Sequence, residues 1–209
     1  MKSTMLAVIC VVAWTAAAAL SGTFGIWVAV GSVAVILGVL IAARDLSGVR
    51  SALRPTMSLV AIGLAVGGAM SAATYVLYPM VLSAVPSIAS DTASLYASFR
   101  APAAVVTWIA FVPVVIGEEL VWRGVVQGAI ADRLRFADRS WPGMLVGVVA
   151  IAVVYALAHA PIGSPVLVLV AFGCGLVWSA LRAVTGSVAP ALVAHLLWDV
   201  LILMWLPLG

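Results

Sequence analysis

Long apolar segments alternate with short polar joints along almost the whole chain. A helix of about 20 apolar residues crosses the hydrocarbon core of a bilayer, which is about 30 Å thick. The pattern therefore predicts an all-α fold, a polytopic transmembrane bundle of about seven helices within a range of six to eight. The predicted helices lie near residues 5–20, 25–43, 57–84, 102–130, 143–160, 165–181 and 187–207.

The composition indicates that most of the protein surface faces lipid. The 209 residues are 66% hydrophobic and 8% charged, with a mean hydropathy of +1.28. Such a chain cannot cover a soluble domain with polar surface. We therefore expect one integral membrane domain over residues 1–209, surrounded by the lipid bilayer. The net charge of +3 is too sparse for a nucleic-acid surface, so no nucleic-acid partner is expected.

The positive charges predict the orientation of the bundle. If the N-terminus is cytoplasmic, Arg100 is the one loop cation left on the outer side, as the positive-inside rule favours. We therefore expect a multi-pass protein of the cell membrane with a cytoplasmic N-terminus. The inner cations are then Lys2, Arg44, Arg50, Arg54, Arg133, Arg135, Arg139 and Arg182.

Two segments allow alternative interpretations. Lys2, the apolar run after it and the small residues at 16–21 also fit a secretory signal peptide, although we favour a retained first helix. The outer segment 86–100 fits a short helix lying on the membrane surface, and an ordered connector fits it equally well.

Few ionisable residues remain once the joints are set aside, and all of them fall inside predicted helices. Charge is costly in hydrocarbon, so such residues normally face a cavity and pair with one another. Both histidines of the chain belong to this set. The set consists of Glu118, Glu119, Arg123, His159, His195 and Asp199.

Helical spacing sorts these residues into pairs. Glu119 and Arg123 are four residues apart in the acid-before-base order, which predicts a salt bridge on one helix face. Glu118 points about 100° away from Glu119 and is left for another partner. The same four-residue spacing recurs in two further pairs, His195 with Asp199 and Tyr155 with His159, the latter placing an aromatic ring beside an imidazole.

The residue types in this set are those of a hydrolytic site. A carboxylate, two imidazoles and a second acid supply a base for water, an acid for the leaving amine and donors for an oxyanion. Ser179 and Ser187 have no base near them in sequence. Water is therefore the predicted nucleophile.

Three short motifs resemble those of the CPBP family, also called the ABI family, which includes CAAX prenyl endopeptidases and bacteriocin-processing or immunity membrane proteins. Residues 118–123 match EExxxR, residues 155–159 match FxxxH with tyrosine in place of phenylalanine, and residues 195–199 match HxxxD. The motifs occur in the family's order, each on its own apolar helix. The resemblance covers about residues 100–200 and predicts a protease-like core at about 100–209, while the first three helices match only as generic membrane spans.

The resemblance implies a glutamic-type intramembrane endopeptidase that cuts a membrane-associated, prenylated or processed peptide without a cofactor. In that case Glu118 and His159 hold and activate the water, while His195 and Asp199 bind the carbonyl oxygen. Asparagine donates to an oxyanion at any pH, whereas Asp199 has to be protonated or act by orienting His195. The implied supporting residues are Glu119, Arg123 and Tyr155.

Two other classes of function stay open. A membrane scaffold or bacteriocin-immunity protein keeps the fold without catalysis. A metal-dependent protease or an ion-coupled transporter uses similar Glu, His and Asp side chains to ligate zinc or relay protons. Neither the HExxH zinc spacing nor paired broken helices are evident in the sequence. The expected partner is a peptide or protein substrate at the membrane, and the oligomeric state is left open.

Two expectations concern the surroundings of the site. Counted from the helix ends, Glu118 falls nearer the inner side and His159 nearer the outer side, so they meet only if the fourth helix is tilted or extends into the cytoplasm through Ala131 to Arg135. The tryptophans are assigned to lipid interfaces or packing and none to the site. Cys10 and Cys174 are assigned to packing rather than to a disulfide or a metal site.

Overall fold

A computed structural model describes residues 3–99, 104–133 and 141–208, and within these ranges the chain is helical without strands. Helices occupy all seven predicted segments, so the predicted helical membrane bundle is confirmed. The helices are α1 Ser3–Phe24, α2 Ser32–Arg44, α3 Leu46–Ala52, α4 Met57–Ala84, α5 Ile88–Phe99, α6 Ala104–Glu119, α7 Gln127–Arg133, α8 Trp141–His159, α9 Pro165–Thr185 and α10 Ala189–Asp199. Further helical turns are the π-helical segments Trp27–Gly31, Leu120–Val126 and Val200–Trp205, and the 3₁₀ turn Ala160–Ile162.

Long apolar helices make up most of the bundle. Their outward side chains are large and apolar, for example Val12, Leu157 and Leu169, each more than half exposed. Such a surface is stable against lipid tails and not against water. Within the described ranges, the helices long and apolar enough to cross a membrane are Ser3–Phe24, Trp27–Arg44, Met57–Ala84, Trp141–Ile162 and Pro165–Thr185, with Ala189–Trp205 as a shorter apolar helix.

Local sequence sets several helix ends. Thr56 and Ser164 cap α4 and α9 by accepting hydrogen bonds from backbone N–H groups three residues later. Gly186 ends α9 with φ of 71°, a left-handed conformation that glycine adopts without strain. Asp45 caps α3, and hydrogen bonds from the Gly48 N–H and the Ser47 hydroxyl lower the pKa of its carboxyl below the usual value.

Glycines bring two helix pairs into close contact. A Cβ atom added at Gly67 of α4 would lie 2.9 Å from the Ala194 Cα atom of α10. A Cβ atom added at Gly38 of α2 would lie 2.8 Å from the Gly117 Cα atom of α6. These separations leave no room for a larger residue. The second contact fixes α2 against the residue directly before Glu118.

The two ends of the bundle differ in charge. We call the end that holds Arg44, α3, Arg133 and Arg182 the cationic end, and the end that holds α5 and the last residues of the chain the opposite end. At the cationic end, Ala52 of α3 accepts hydrogen bonds from the turn between α9 and α10, from the Ser187 hydroxyl at 3.0 Å and the Val188 N–H at 3.0 Å.

At the opposite end, α5 is bound to the last turns of the chain. The segment fits the helical alternative predicted for it, and it lies against the bundle through specific contacts. The Tyr96 hydroxyl donates to the Ile202 carbonyl at 2.7 Å and accepts from the Leu208 N–H at 2.9 Å. The Trp27 indole donates to the Phe99 carbonyl at 2.7 Å. Thus α5 forms a wall of the bundle interior as well as part of its surface.

Candidate active site

The ionisable residues singled out from the sequence meet in the interior of the bundle. They come from α6, the π-helical segment after it, α8 and α10. All are buried, with Glu118 at 9% relative exposure and both Glu119 and Arg123 at 0%. Buried charges are tolerated only when they are paired and hydrogen-bonded. The contacts of each side chain therefore indicate what it does.

Glu119 is held on two sides. Its Oε1 atom lies 2.8 Å from His195 Nδ1 and 3.5 Å from Arg123 Nη1. The second contact is the salt bridge predicted from the four-residue spacing. Glu119 thereby ties the π-helical segment Leu120–Val126 to α10 through a fully buried charge pair.

The Arg123 guanidinium is also enclosed by aromatic rings. Its Cζ atom lies 4.6 Å from the centroid of the Tyr155 ring and 5.1 Å from that of Trp178. Such cation–π contacts strengthen when water is excluded. Arg123 therefore connects α8 and α9 to Glu119 at the end of α6, and its position suits a structural role.

Glu118 faces a different set of partners. Its Oε1 atom accepts a hydrogen bond of 2.5 Å from the Tyr155 hydroxyl. The same oxygen lies 3.9 Å from His159 Nε2, a distance too long for a direct hydrogen bond. Among the described residues, Glu118 has no arginine partner like that of its neighbour, and it lines a cavity.

The hydrogen bonds of His159 define its tautomer. Its Nδ1 atom lies 2.7 Å from the Tyr155 carbonyl oxygen, which can only accept, so Nδ1 carries a proton. Its Nε2 atom lies 3.2 Å from the Trp14 indole nitrogen, which can only donate. Nε2 is therefore the acceptor atom, and the arrangement fits a neutral imidazole. The Tyr155 and His159 rings pack with centroids 4.6 Å apart, as their spacing predicts.

His195 lies between two acids. Its Nδ1 atom contacts Glu119, and its Nε2 atom lies 3.3 Å from Asp199 Oδ2. The ring stacks on Trp178 at a centroid distance of 3.7 Å and an interplanar angle of 21°. Both ring nitrogens thus face carboxylates, and the stacking partner fixes the plane of the ring.

One cavity of about 1050 Å³ joins these side chains. All four residues proposed from the sequence as catalytic line it, together with Trp14 and Tyr155. The predicted depth conflict is thereby resolved, because His159 and Glu118 lie 3.9 Å apart. After Glu118 the helical path continues to Arg133 through the π-helical segment and α7. Over the described residues, this agrees with the extension of the fourth predicted helix, one of the two ways in which Glu118 and His159 were expected to meet. The four residues that the sequence proposes as catalytic, and that line the cavity, are Glu118, His159, His195 and Asp199.

Two π-helical segments begin directly at the motifs. Leu120–Val126 follows Glu119, and Val200–Trp205 follows Asp199. A π-helical turn is rare and is frequently found at functional sites. Here each interruption lies next to residues that line the cavity or support it. Hydrophobic periodicity does not reveal such turns, so the sequence did not predict them.

The sequence assigned the tryptophans to lipid interfaces or packing, and the structure packs two of them directly against the histidines of the site. Trp14 from α1 donates to His159, and Trp178 from α9 stacks on His195. Trp122, fully buried, packs edge-on against Trp14 with ring centroids 5.7 Å apart. The sequence offers no motif for these contacts, since tryptophan is ordinary in membrane helices.

The cysteines lie as expected. Cys10 and Cys174 are free and buried, which confirms their assignment to packing. Within the described residues, no group of three or more His, Cys, Asp and Glu side chains has the arrangement of a metal site. The expectation of a cofactor-free protein stays a prediction.

The fold and the buried polar site define a class, a multi-pass membrane protein with a cluster of ionisable side chains inside the bundle. Residues 100–201, about half of the chain, match the family described as type II CAAX prenyl endopeptidase Rce1-like. All three sequence motifs lie within this range. The chain therefore carries an Rce1-like domain over residues 100–201, and this domain matches the CPBP family of CAAX-type proteases. No curated protein and no solved structure matches the chain.

Proposed function

We propose that this endopeptidase is of the glutamic type and that Glu118 is its general base. The observation that carries the proposal is the pair of acceptor atoms at the cavity floor, Glu118 Oε1 and His159 Nε2, 3.9 Å apart. A water oxygen about 2.8 Å from each would fit between such atoms. The substrate would be a peptide in or near the cell membrane, cut by a single membrane domain without a cofactor.

The contrast between the two glutamates supports the choice of Glu118. A carboxylate already shared by an arginine and a histidine has little capacity left to take a proton. Glu119 is in that position and has no exposed side-chain surface. Glu118 is bound by one hydroxyl, and its side chain is 12% exposed to the cavity. It is the carboxylate that a substrate can approach.

The proposed reaction is the addition of water to a peptide carbonyl. Glu118 takes a proton from water as the water oxygen attacks the carbonyl carbon, and the carbonyl electron pair moves onto its oxygen. When the tetrahedral intermediate collapses, the carbon–nitrogen bond breaks and Glu118 returns the proton to the leaving amine. The products are one carboxylic acid and one amine, and the base is restored.

His195, oriented by Asp199, would bind the negative oxygen of the intermediate. Both nitrogens of His195 face carboxylates, an arrangement that is satisfied when both carry protons. A ring held by Trp178 and Glu119 presents its Nε2 side to the cavity in one fixed orientation. Asp199 would then orient His195, and the Nε2 proton would be shared between Asp199 and the negative oxygen, so the oxyanion donor would be the imidazole and not the carboxylate.

His159 would help to position the water. Its Nε2 atom is the acceptor that faces Glu118, and Trp14 donates to the same atom. A water that binds there has to share this nitrogen with the indole or displace the indole. His159 is thus the second member of the water site, with Glu118 as its base.

The proposal is tested with the protein purified in detergent and a library of fluorescence-quenched peptides with apolar centres. Cleavage sites are identified by mass spectrometry. The test variant is Glu118→Gln, which keeps the shape of the side chain and removes its basicity. We expect cleavage by the unmodified chain and a loss of at least about 10³-fold in Glu118→Gln.

Two control measurements accompany this experiment. A thermal unfolding curve of each protein separates loss of chemistry from loss of fold. A parallel assay with a metal chelator tests the zinc alternative, since a metal-dependent enzyme would lose activity there and the proposed one would keep it. Equal cleavage by Glu118→Gln and the unmodified chain would rule out Glu118 as the base.

A further inference from the structure

The cavity lies in one half of the bundle. Its lining residues in α4 come from the second half of that helix, such as Thr74 and Val81. Those in α9 lie mainly in the first half, such as Val166 and Leu169. Since α4 and α9 run from opposite ends, both halves belong to the end of the bundle where α5 lies, and α5 itself supplies a wall.

Toward the cationic end, the site is closed by buried side chains. Val121, Trp122 and Arg123 are fully buried, and Val126 is 2% exposed. Among the described residues, none of α3 or α7 lines the cavity. The site therefore has a floor on the cationic side and walls that extend toward the opposite end.

The charges identify which side of the membrane each end occupies. Four arginines of the described helices, Arg44, Arg50, Arg133 and Arg182, belong to the cationic end, and the sequence adds further cations to the joints there. Short loops rich in lysine and arginine stay in the cytoplasm. The cationic end is thus the cytoplasmic end, and the cavity extends toward the non-cytoplasmic side.

We propose that the site receives its substrate from the non-cytoplasmic side, as an apolar peptide segment in the outer half of the membrane. This proposal rests on the proposed function, because it names the substrate of the same site. A segment that enters from this side reaches Glu118 at the floor without crossing the buried residues at 121–126. The substrate is then a translocated peptide or the outer part of a membrane-anchored one.

The walls of the cavity define the chemistry of that segment. Between α5 and the floor, the walls include the aromatic side chains Trp27, Tyr78, Phe99 and Trp108. The carboxylates and imidazoles that line the described cavity lie at the floor, in the three motifs. Burying charged substrate side chains against aromatic walls is costly, whereas apolar ones gain from it. The residues around the scissile bond should therefore be apolar.

The first experiment measures sidedness by cysteine labelling in cells. Cys10 and Cys174 are replaced by alanine, and single cysteines are introduced as Ala93→Cys and Ser51→Cys. Ala93 lines the cavity on α5, Ser51 lies on α3 at the cationic end, and both are exposed. Intact cells are treated with a membrane-impermeant maleimide before and after permeabilisation.

We expect Ala93→Cys to label in intact cells and Ser51→Cys to label only after permeabilisation. Because a thiol must be accessible to react, the rate in intact cells should differ by about tenfold or more between the two variants. The reverse pattern would place the cavity mouth in the cytoplasm and overturn the proposal. This result does not depend on any enzymatic activity.

The second experiment uses proteoliposomes with the full chain in one orientation, assigned by the same labelling. The quenched peptide library, coupled to a charged tag that prevents membrane crossing, is added outside. We expect cleavage when the α5 end faces outward and at least about tenfold less when the cationic end does. Cleavage only with the cationic end outward overturns the inferred side of entry. If the detergent-solubilised protein also cleaves nothing, the proposed function fails, and the labelling result still decides the side on which the cavity opens.

Discussion

The two halves of the bundle contribute different kinds of side chain to the same cavity. The helices from α6 onward supply every carboxylate and imidazole that lines it within the described residues. Among the described residues, helices α1 to α5 supply aromatic and aliphatic walls and one hydrogen bond to the ionisable residues of the site, from Trp14 to His159. The family match covers residues 100–201 and hence only the first of these contributions. The family match therefore concerns the half of the chain that holds the ionisable residues of the site. The other half forms the cavity walls along which a substrate would reach those residues.

The sharpest test of this division compares the two adjacent glutamates of the second half. Glu118→Gln should stay folded and lose at least about 10³-fold in kcat, because it removes the base and keeps the side-chain shape. Glu119→Gln should lower the free energy of unfolding by about 3–5 kcal/mol, because Arg123 is left buried without its charged partner. Peptide cleavage and thermal unfolding in detergent measure the two effects.

The roles assigned to the two glutamates would be wrong if each substitution had the effect expected of the other. A folded, inactive Glu119→Gln variant beside an active Glu118→Gln variant would assign the base to Glu119. Equal destabilisation of both variants would show that the acidic pair acts as one structural unit.

The next test concerns the contact between the halves. Gly117→Ala should lower the free energy of unfolding by about 1–3 kcal/mol, since a Cβ atom there would overlap the Ala34 carbonyl of α2. The matched control is Gly128→Ala in α7, where an added Cβ meets no described atom within 4 Å. That variant should gain up to about 1 kcal/mol from helix propensity. Thermal unfolding of both proteins in the same detergent provides the measurement.

If Gly117→Ala is as stable as Gly128→Ala, α2 does not pack against α6 at this point. The two halves would then be held together by other contacts. In that case the position of Glu118 would be independent of the first half of the chain.

A smaller effect is expected from Tyr155→Phe. This change removes the hydroxyl that donates to Glu118 and produces the phenylalanine of the family's FxxxH motif. Because the motif accepts phenylalanine, we expect the enzyme to stay active, with kcat lower by about tenfold from the loss of one charge-assisted hydrogen bond. The measurement is kcat with one cleaved peptide at saturating concentration. A loss as large as that of Glu118→Gln would give Tyr155 a direct part in the chemistry.

Much of this arrangement could be predicted from the sequence. Apolar segment length predicted the helices, because the thickness of the bilayer fixes how many residues a spanning helix needs. Four-residue spacing predicted the contacts of Glu119 with Arg123 and of His195 with Asp199, because side chains four apart share a helix face. The cost of buried charge predicted that the remaining polar groups would meet in one place.

The rest depends on contacts between helices that are distant in sequence. The hydrogen bond from Trp14 joins residues 145 positions apart, and no pattern within one helix contains that information. The contact between Gly38 and Gly117 likewise depends on how α2 crosses α6. The π-helical turns after Glu119 and Asp199 change the helix geometry without a change in hydrophobic pattern. Each of these features has to be seen in three dimensions.

The smallest effect is expected from Trp14→Phe, which tests whether the first half of the chain contributes more to the site than its walls. It removes the one described hydrogen bond from α1 to the site and should lower kcat by about fivefold, which corresponds to about 1 kcal/mol for one neutral hydrogen bond. The matched control is Trp122→Phe, because Trp122 belongs to the same aromatic cluster and its indole nitrogen has no hydrogen-bond partner among the described residues. Both variants lose the same atoms from a fully buried ring.

A structural role alone would affect these two variants equally, so a second measurement is needed. Nitrogen-15 NMR of labelled histidine reports which ring nitrogen of His159 carries the proton and how strongly the other nitrogen accepts a hydrogen bond. We expect the Nε2 resonance to shift in Trp14→Phe and to keep its position in Trp122→Phe. Identical spectra and equal kcat in the two variants would limit the first half of the chain to forming walls. A selective change in Trp14→Phe would show that α1, outside the family match, positions the histidine of the water site.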